Sequence, residues 1–242
     1  MRSLANDNLS GIVVAAQLAR LLAEQPNRPV TFSFLFMPAT IGAITWLDLN
    51  TRLLKRIHAG LVLSNLGDAG PFTYKRSRRQ NALIDQVAAD TLARLAPGSQ
   101  LRDFTPWGYD ERQYCSPGFN LPVGRLTRTP EAEYPQYHTS ADELSLISAE
   151  ALAQSLGLIA YIITQFTARA GGGTHAQFTA IQPWWSSPSP GECSDRECKH
   201  IDTHHSTVLD STGRLRPCDR SANPNWTVTV CTGALDSRWN QN

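Results

Sequence analysis

Hydrophobic positions along the first two thirds of the chain alternate between helical and extended spacing. Residues 10–25, SGIVVAAQLARLLAEQ, repeat apolar side chains at helical spacing and predict a helix that ends before Pro26. Residues 30–37, VTFSFLFM, are rich in β-branched and aromatic residues and predict a buried strand. Later segments predict helices over 39–57, 79–96 and 140–168, and strands over 58–68, 72–77, 101–107 and 121–127. Strands that alternate with helices indicate an α/β layered fold.

Two of the helix predictions name particular residues. The last helix is predicted to begin with Ser140 as its N-cap, and Glu143 completes a capping box. The apolar side of the first helix is predicted to comprise Val13, Ala16, Leu18, Leu21 and Leu22.

The end of the chain lacks this periodicity. From Gly171 onward Ser, Thr, Pro, Asn and Asp dominate, a composition typical of segments that cannot bury a core. We therefore expect a folded domain over residues 1–168 and a poorly ordered or non-homologous tail over 169–242. The tail holds residues of the types and spacing that a zinc module could use, namely Cys193, Cys198, His200, His204 and His205. Only one residue separates the cysteines from the histidines, which leaves no room for the strand or helix usual in a zinc module. The tail's Trp, Cys, Arg, Ser and Pro content without periodic hydrophobicity favours a non-homologous extension.

Composition and charge narrow the function classes. The chain has 242 residues, of which 41% are hydrophobic and 18% charged, and its formal net charge is +1. A net charge this close to zero gives no indication that the protein binds nucleic acid or an anionic membrane. The N-terminus lacks the apolar core of a signal peptide and no run of about 18 apolar residues occurs, which predicts a cytoplasmic protein. Four of the five cysteines follow residue 190, so no disulfide framework spans the predicted core.

Two polar residues outside the predicted helices have ordinary structural interpretations when taken alone. Asp7 lies between two asparagines in SLANDNLSG, directly before the first helix. Taken alone, an Asp at this position is most often a turn or cap residue, because its charge complements the helix dipole. His138, in YHTSADE, is by the same reasoning a loop histidine.

The order of five short segments resembles a known family. They are NDNLSG, PATIG, GLVLSNLGD, YDERQY…PGFNLPVG and YHTSADE. Together, over roughly residues 3 to 168, they resemble a bacterial aminopeptidase-like domain of unknown function, often followed by a winged-helix segment and related to the co-catalytic zinc aminopeptidases. The resemblance implies a three-layer α/β sandwich with a mixed, mainly parallel central sheet. It also implies that Asp7 and His138 are zinc ligands, and that zinc activates a water for attack on a peptide carbonyl.

Several positions depart from the family pattern. Met1 and Arg2 stand where the family has a His-Pro pair, so the first histidine ligand is missing, as expected of a misplaced gene start or a truncated chain. Ala39 replaces the general-base Glu, and Thr40 stands where the two-metal relatives place a second Glu ligand. Base assistance typically contributes about 10² to 10⁴-fold to the rate. The resemblance therefore implies a single zinc ion and an impaired enzyme.

The segment YDERQY supplies further candidates. Asp110 and Glu111 are candidate catalytic bases, and Glu111 is also the candidate partner of a substrate α-amino group. Arg112 could hold a substrate carboxylate through its bidentate guanidinium, or pair on the surface with its acidic neighbours. Tyr74, in a polar strip near the predicted cleft, is the second candidate substrate contact.

The sequence thus predicts a zinc-dependent aminopeptidase-like hydrolase, impaired in this copy, that acts on a peptide or related amide bond. Asp and His ligands also accept other divalent ions. Two other classes stay open. One is a non-catalytic binding module that keeps the cleft without the chemistry, and the other is a metal-binding interaction protein that acts through the tail.

Overall fold

A computed structural model describes residues 4–25 and 29–170 with their side chains, and the backbone of 174–182, 207–209, 215–217 and 226–230. The α-helices in this part of the chain are α1 (Gly11–Ala23), α2 (Ile41–Leu49), α3 (Thr51–Leu54), α4 (Leu83–Leu95), α5 (Glu111–Tyr114) and α6 (Ala149–Ala170), and a π-helical turn (Ala5–Ser10) and a 3-10 turn (Leu144–Leu146) occur as well. The strands are β1 (Val30–Pro38), β2 (Ile57–Leu63), β3 (Thr73–Lys75), β4 (Gln100–Arg102), β5 (Val123–Thr127), β6 (Thr174–Gln182), β7 (Thr207–Leu209), β8 (Leu215–Pro217) and β9 (Trp226–Val230).

Most of the described strands form one sheet in the order β4-β3-β5-β2-β6-β1-β9. Neighbouring strands are parallel throughout, except that β3 and β5 pair antiparallel. Strands β7 and β8 pair with each other in a separate antiparallel ribbon. Helices pack on both faces of the large sheet, so the predicted α/β sandwich with a mixed, mainly parallel sheet is confirmed.

Alternation along the central strands divides the core into two clusters. Phe34 of β1 and Leu61 of β2 are buried with side chains of α1, α4 and α6. Leu35 of β1 and Val62 of β2 are buried with side chains of α2 and α5 on the other face. Because successive strand side chains point to opposite faces, a strand that is covered on both sides is apolar at nearly every position. This is why VTFSFLFM reads as a continuous hydrophobic run.

The buried side of α1 differs from the predicted one. Val13 and Leu21 are exposed, at 48% and 37%, so their assignment to the core was wrong. Spacings of three and four residues define the stripe that faces the sheet. Its buried residues are Gly11, Val14, Ala15, Leu18, Ala19 and Leu22.

The last helix begins at Ala149 rather than at Ser140. Its N-terminal cap is Ser148, whose hydroxyl accepts the N–H of Ala151 at 3.0 Å. The predicted capping box at Ser140 is wrong because the segment is used in tertiary contacts instead. The carbonyl of Asp142, for example, accepts the N–H of Ala5 at 3.1 Å.

Two further segments differ from their predictions. The helix predicted over 39–57 is divided at Asn50 into α2 and α3. Ile57, the last residue of that prediction, is the first residue of β2. Strand β6, in the region expected to be poorly ordered, lies between β1 and β2 and is parallel to both. Strands pair through their main-chain N–H and C=O groups, and this pairing needs no periodic apolar pattern. The prediction of a poorly ordered tail rested on the lack of such a pattern. The cysteines and histidines of the tail motif lie outside the described residues.

Helix α6 is, within the described residues, the one helix long and apolar enough by length and composition to cross a membrane. Its side chains Leu158, Ile159, Ile162 and Phe166 are buried in the core cluster that also includes α1 and α4. Packing in that core accounts for its apolar composition.

Candidate metal and catalytic site

The candidate site lies at the carboxyl ends of β1 and β2, the usual place for ligands in open α/β sheets. Asn8 ties the first loop to this edge, because its side-chain nitrogen donates to the carbonyl of Leu63 at 3.0 Å. Its Oδ1 atom accepts the N–H groups of Gly11 at 3.2 Å and of Asn65 at 3.1 Å. A Cβ on Gly11 would lie 2.4 Å from that oxygen, so α1 must begin with glycine to approach so closely.

Asp142 fixes the backbone of the same loop. Its two carboxylate oxygens accept the N–H of Asn6 at 2.6 Å and the N–H of Asp7 at 3.0 Å. The hydroxyl of Tyr134 donates to the second of these oxygens at 3.2 Å. Sequence reasoning gave Asp142 no role in the site. Asn6 and Asp7 are more than a hundred residues away from Asp142 along the chain, so no local pattern could have indicated these contacts.

The two predicted metal ligands come together at this edge. Oδ2 of Asp7 lies 3.1 Å from Nε2 of His138, and the two side chains are 2% and 43% exposed. The other oxygen of Asp7 accepts a hydrogen bond from the hydroxyl of Tyr109 at 2.7 Å, while Oδ2 has no hydrogen bond of ordinary geometry. Burial raises the pKa of Asp7, and the Tyr109 hydrogen bond and the His138 charge oppose that rise.

The chemistry of this pair fits one divalent ion. Zinc binds carboxylate oxygen and imidazole nitrogen at about 2.0 to 2.1 Å, which places two ligands of one tetrahedral ion roughly 3.3 Å apart. The 3.1 Å between Asp7 and His138 is close to that spacing, and it is also the distance of a direct ion pair between the two side chains. No group of three or more His, Cys, Asp or Glu side chains that could hold a metal occurs among the described residues. Catalytic zinc sites generally have three protein ligands, and the described residues bring two candidate ligands together at this edge.

Tyrosine rings surround the exposed side of the pair. The Tyr137 ring stacks on the His138 imidazole with 3.8 Å between centroids, and its hydroxyl lies 3.3 Å from that of Tyr109. Tyr134 packs edge-on against Tyr137 at 5.6 Å. His138 itself has a φ of 58°, and such a backbone costs about 1 kcal/mol or more in a residue other than glycine. Sequence reasoning missed both Tyr109 and Tyr137.

Asp110 lies against the end of β1. One of its oxygens accepts the backbone N–H of Thr40 at 2.7 Å, and the other is buried without a hydrogen-bond partner. Burial raises the pKa of Asp110 to about 7, assisted by the charge of Glu111 and opposed by the Thr40 hydrogen bond and the charge of Arg112. Arg112 is partly buried nearby. The carboxyl of Asp110 can therefore exchange a proton near neutral pH.

The structure places Glu111 and Tyr74 elsewhere. Glu111 is fully buried, and its Oε1 atom lies 2.9 Å from Nζ of Lys75 and 3.6 Å from a guanidinium nitrogen of Arg125. Tyr74 is also fully buried, and its hydroxyl donates to Asp85 at 2.9 Å. The polar contacts of both residues are thus made with other side chains of the core, and the structure does not bring either of them to the pair of Asp7 and His138.

Solved structures identify the class of fold. A Clostridium acetobutylicum protein provisionally described as a peptidase has a crystal structure that matches with a TM-score of 0.61 and 38% identity, covering 67% of this chain and 38% of that one. A zinc aminopeptidase from Bacillus subtilis matches with a TM-score of 0.54 at 18% identity, covering 72% of this chain and 45% of that one. The fold is therefore that of the aminopeptidase-like α/β domains.

The family follows from the sequence match. Residues 2–168 match the model described as Domain of unknown function (DUF4910), and the chain belongs to that family. Over 153 residues it is 44% identical to a C. acetobutylicum protein provisionally described as a polysaccharide biosynthesis protein with an aminopeptidase-like domain. That match covers 63% of this chain and 35% of the relative, so the chain spans well under half of the relative's length.

Proposed function

We propose that this chain is a metal-dependent, aminopeptidase-like hydrolase in which Asp7 and His138 hold a single ion, zinc being the first candidate. The observation that carries the proposal is the 3.1 Å approach of a carboxylate oxygen to an imidazole nitrogen at the carboxyl edge of the sheet. The descriptions of the relatives as a peptidase, a zinc aminopeptidase and a protein with an aminopeptidase-like domain support a peptide or related amide substrate.

The metal would act as a Lewis acid toward the carbonyl of the scissile bond. The protein's contribution is to present Asp7 as a carboxylate and His138 as a neutral imidazole, because ligands must be deprotonated to bind. Metal affinity should therefore fall as the pH decreases.

Asp110 is the proposed general base. Its pKa of about 7 suits proton transfer near neutral pH, and one of its oxygens makes no hydrogen bond within the described residues. Glu111 also has one buried oxygen, Oε2, without a hydrogen-bond partner in the described residues. It is less suited to the role because the ion pairs of its Oε1 atom with Lys75 and Arg125 favour the charged carboxylate. Since Ala39 stands where the family pattern has its Glu, turnover should be slow.

The test is hydrolysis of aminoacyl amides by the zinc-loaded protein, with N-acylated analogues for comparison. Turnover that disappears in Asp7→Ala and Asp110→Asn, and persists in the exposed-site control Asp103→Asn, supports the proposal. Asp103 is a suitable control because its side chain is 77% exposed.

The second candidate is a binding module that has lost catalysis. It is favoured by Ala39 and by the presence of only two converging ligands among the described residues. Zinc-dependent binding of the same amides without measurable turnover would select this candidate and reject hydrolysis.

A further inference from the structure

A buried charge cluster lies beside the site and has no part in the proposed chemistry. We call it the Glu111 cluster, and it consists of Lys75, Glu111, Arg125 and Glu131. Its side chains are 4%, 0%, 3% and 12% exposed, and the closest pair of atoms, on Arg125 and Glu131, is 2.6 Å apart. Two cations and two anions make it neutral. Desolvating four charges is costly even when they are paired.

The Glu111 cluster supports the loop just before α5. Nζ of Lys75 donates a hydrogen bond to the carbonyl of Trp107. Gly108 has a φ of 129°, and a Cβ at this position would lie 2.3 Å from Oε1 of Glu111 and 2.9 Å from Arg125. The loop backbone is therefore pressed directly onto the charged atoms, and both its conformation and the lack of space require glycine at residue 108.

The next residue along the loop reaches the proposed metal ligand. The guanidinium carbon of Arg125 lies 5.6 Å from the centre of the Tyr109 ring, within the range of a cation–π contact. The hydroxyl of Tyr109 donates to Oδ1 of Asp7 at 2.7 Å. With Oδ1 held in this way, the other oxygen of Asp7 faces His138. A continuous series of contacts thus runs from the cluster through the loop to the ligand.

We propose that the Glu111 cluster fixes Tyr109, and that Tyr109 in turn orients Asp7 for metal binding. Tyr109 is a positioning residue in this scheme, because it acts on the metal only through Asp7. The scheme rests on the proposed function for its effect on metal affinity. The order that the cluster imposes on the two loops exists with or without a metal and can be measured separately.

The first measurement is backbone amide exchange of the metal-free, full-length chain. Gly108→Ala displaces the loop from the cluster and should speed exchange in residues 105–110 and also in residues 4–10. Tyr109→Phe removes only the hydroxyl and should speed exchange in 4–10 alone. Gly118→Ala is the matched control, since a Cβ there would meet no atom within 4 Å. Unchanged exchange of residues 4–10 in Tyr109→Phe would overturn the proposal.

The second measurement is zinc affinity in a double-mutant cycle. Residues that orient a metal ligand typically contribute about 10 to 100-fold to affinity, and we expect losses in that range for Gly108→Ala and for Tyr109→Phe. Because both substitutions act through the hydroxyl of Tyr109, their effects should not add. The double variant should bind zinc as tightly as whichever single variant has the lower affinity. Additive losses would contradict a shared path. If Gly108→Ala does not fold, Tyr109→Phe alone decides the positioning role, and a zinc affinity equal to that of the parent would overturn it.

The two measurements separate the two proposals. A parent protein that binds no zinc refutes the metal function, and the exchange pattern then decides the positioning role. A parent that binds zinc normally, together with a Tyr109→Phe variant of equal affinity and unchanged exchange, refutes the positioning role alone.

Discussion

The carboxylate of Asp110 accepts the backbone N–H of Thr40 at 2.7 Å, although the two residues belong to different loops. This hydrogen bond joins the end of β1 to the start of α5. It opposes the effect of burial, which nevertheless raises the pKa of Asp110 to about 7.

The raised pKa predicts a pH dependence of folding stability. Between the ordinary value of 3.8 and about 7, the folded chain holds a proton on Asp110 that the unfolded chain has released. Stability should therefore fall as the pH rises through this range, by up to about 4 kcal/mol. Asp110→Asn keeps the acceptor for Thr40 without the charge and should flatten the dependence. Urea unfolding at several pH values measures this, and an unchanged slope in Asp110→Asn would refute the assignment.

Removing one member of the Glu111 cluster should be strongly destabilising. Glu111→Gln leaves Lys75 and Arg125 buried with one anion fewer, and breaking a buried ion pair costs about 3 to 5 kcal/mol. Glu133→Gln is the matched control, because its partner Arg102 and Glu133 itself are 35% and 45% exposed. A surface pair of this kind contributes about 0 to 1 kcal/mol. Denaturant unfolding measures the loss of folding free energy in both variants. A loss in Glu111→Gln as small as that in Glu133→Gln would show that the cluster is not structurally important.

The side chain of Asn8 should be needed as an amide rather than a carboxylate. Asn8→Asp keeps the shape but replaces the donor to the Leu63 carbonyl with an oxygen. Leaving buried polar groups unsatisfied costs about 1 to 3 kcal/mol each, so the thermal unfolding midpoint should fall. The same change at the exposed residue Asn81 should leave the midpoint nearly unchanged. Equal changes of the unfolding midpoint in the two variants would show that the side-chain amide of Asn8 does not stabilise the loop.

A pair of glycine substitutions tests the packing of the core. A Cβ at Gly124 would lie 2.1 Å from the hydroxyl of Tyr74, whereas a Cβ at Gly157 in α6 would meet no atom within 4 Å. Gly124→Ala should lower the free energy of unfolding by about 1 to 3 kcal/mol through overpacking. Gly157→Ala should raise it by about 0.5 to 1 kcal/mol through helix propensity. Effects of the same sign would contradict this account of the packing.

The parts of the fold that the sequence predicted are those that depend on local periodicity. The strand predicted over 30–37 is confirmed as β1, because burial on both faces leaves a continuous apolar run. The capping box at Ser140 is wrong because Asp142, two residues later, is used to hold the first loop. Contacts between distant segments override local propensity in such cases.

The candidate site was only partly predictable for the same reason. Asp7 and His138 entered through a resemblance that spans the family motifs, and the structure brings them within 3.1 Å of each other. Tyr109 and Asp142 contact Asp7 from more than a hundred residues away, so their roles leave no pattern in any short window of sequence. Tyr74 was a candidate because its neighbours are polar, yet its hydroxyl is used inside the core by Asp85.

The most direct test of the account is zinc binding by the purified, metal-depleted chain near neutral pH. The measurement is made in a background in which the tail cysteines are changed to Ser and the tail histidines to Ala, so that the tail motif does not contribute; the changed residues are Cys193, Cys198, His200, His204 and His205. Asp7→Ala and His138→Ala are compared with the exposed-site controls Asp103→Ala and His58→Ala. We predict one saturable zinc per chain, lost in both ligand variants and retained in both controls. Zinc binding that is equal in the parent and the ligand variants, or absent from the parent, would contradict the proposed metal site.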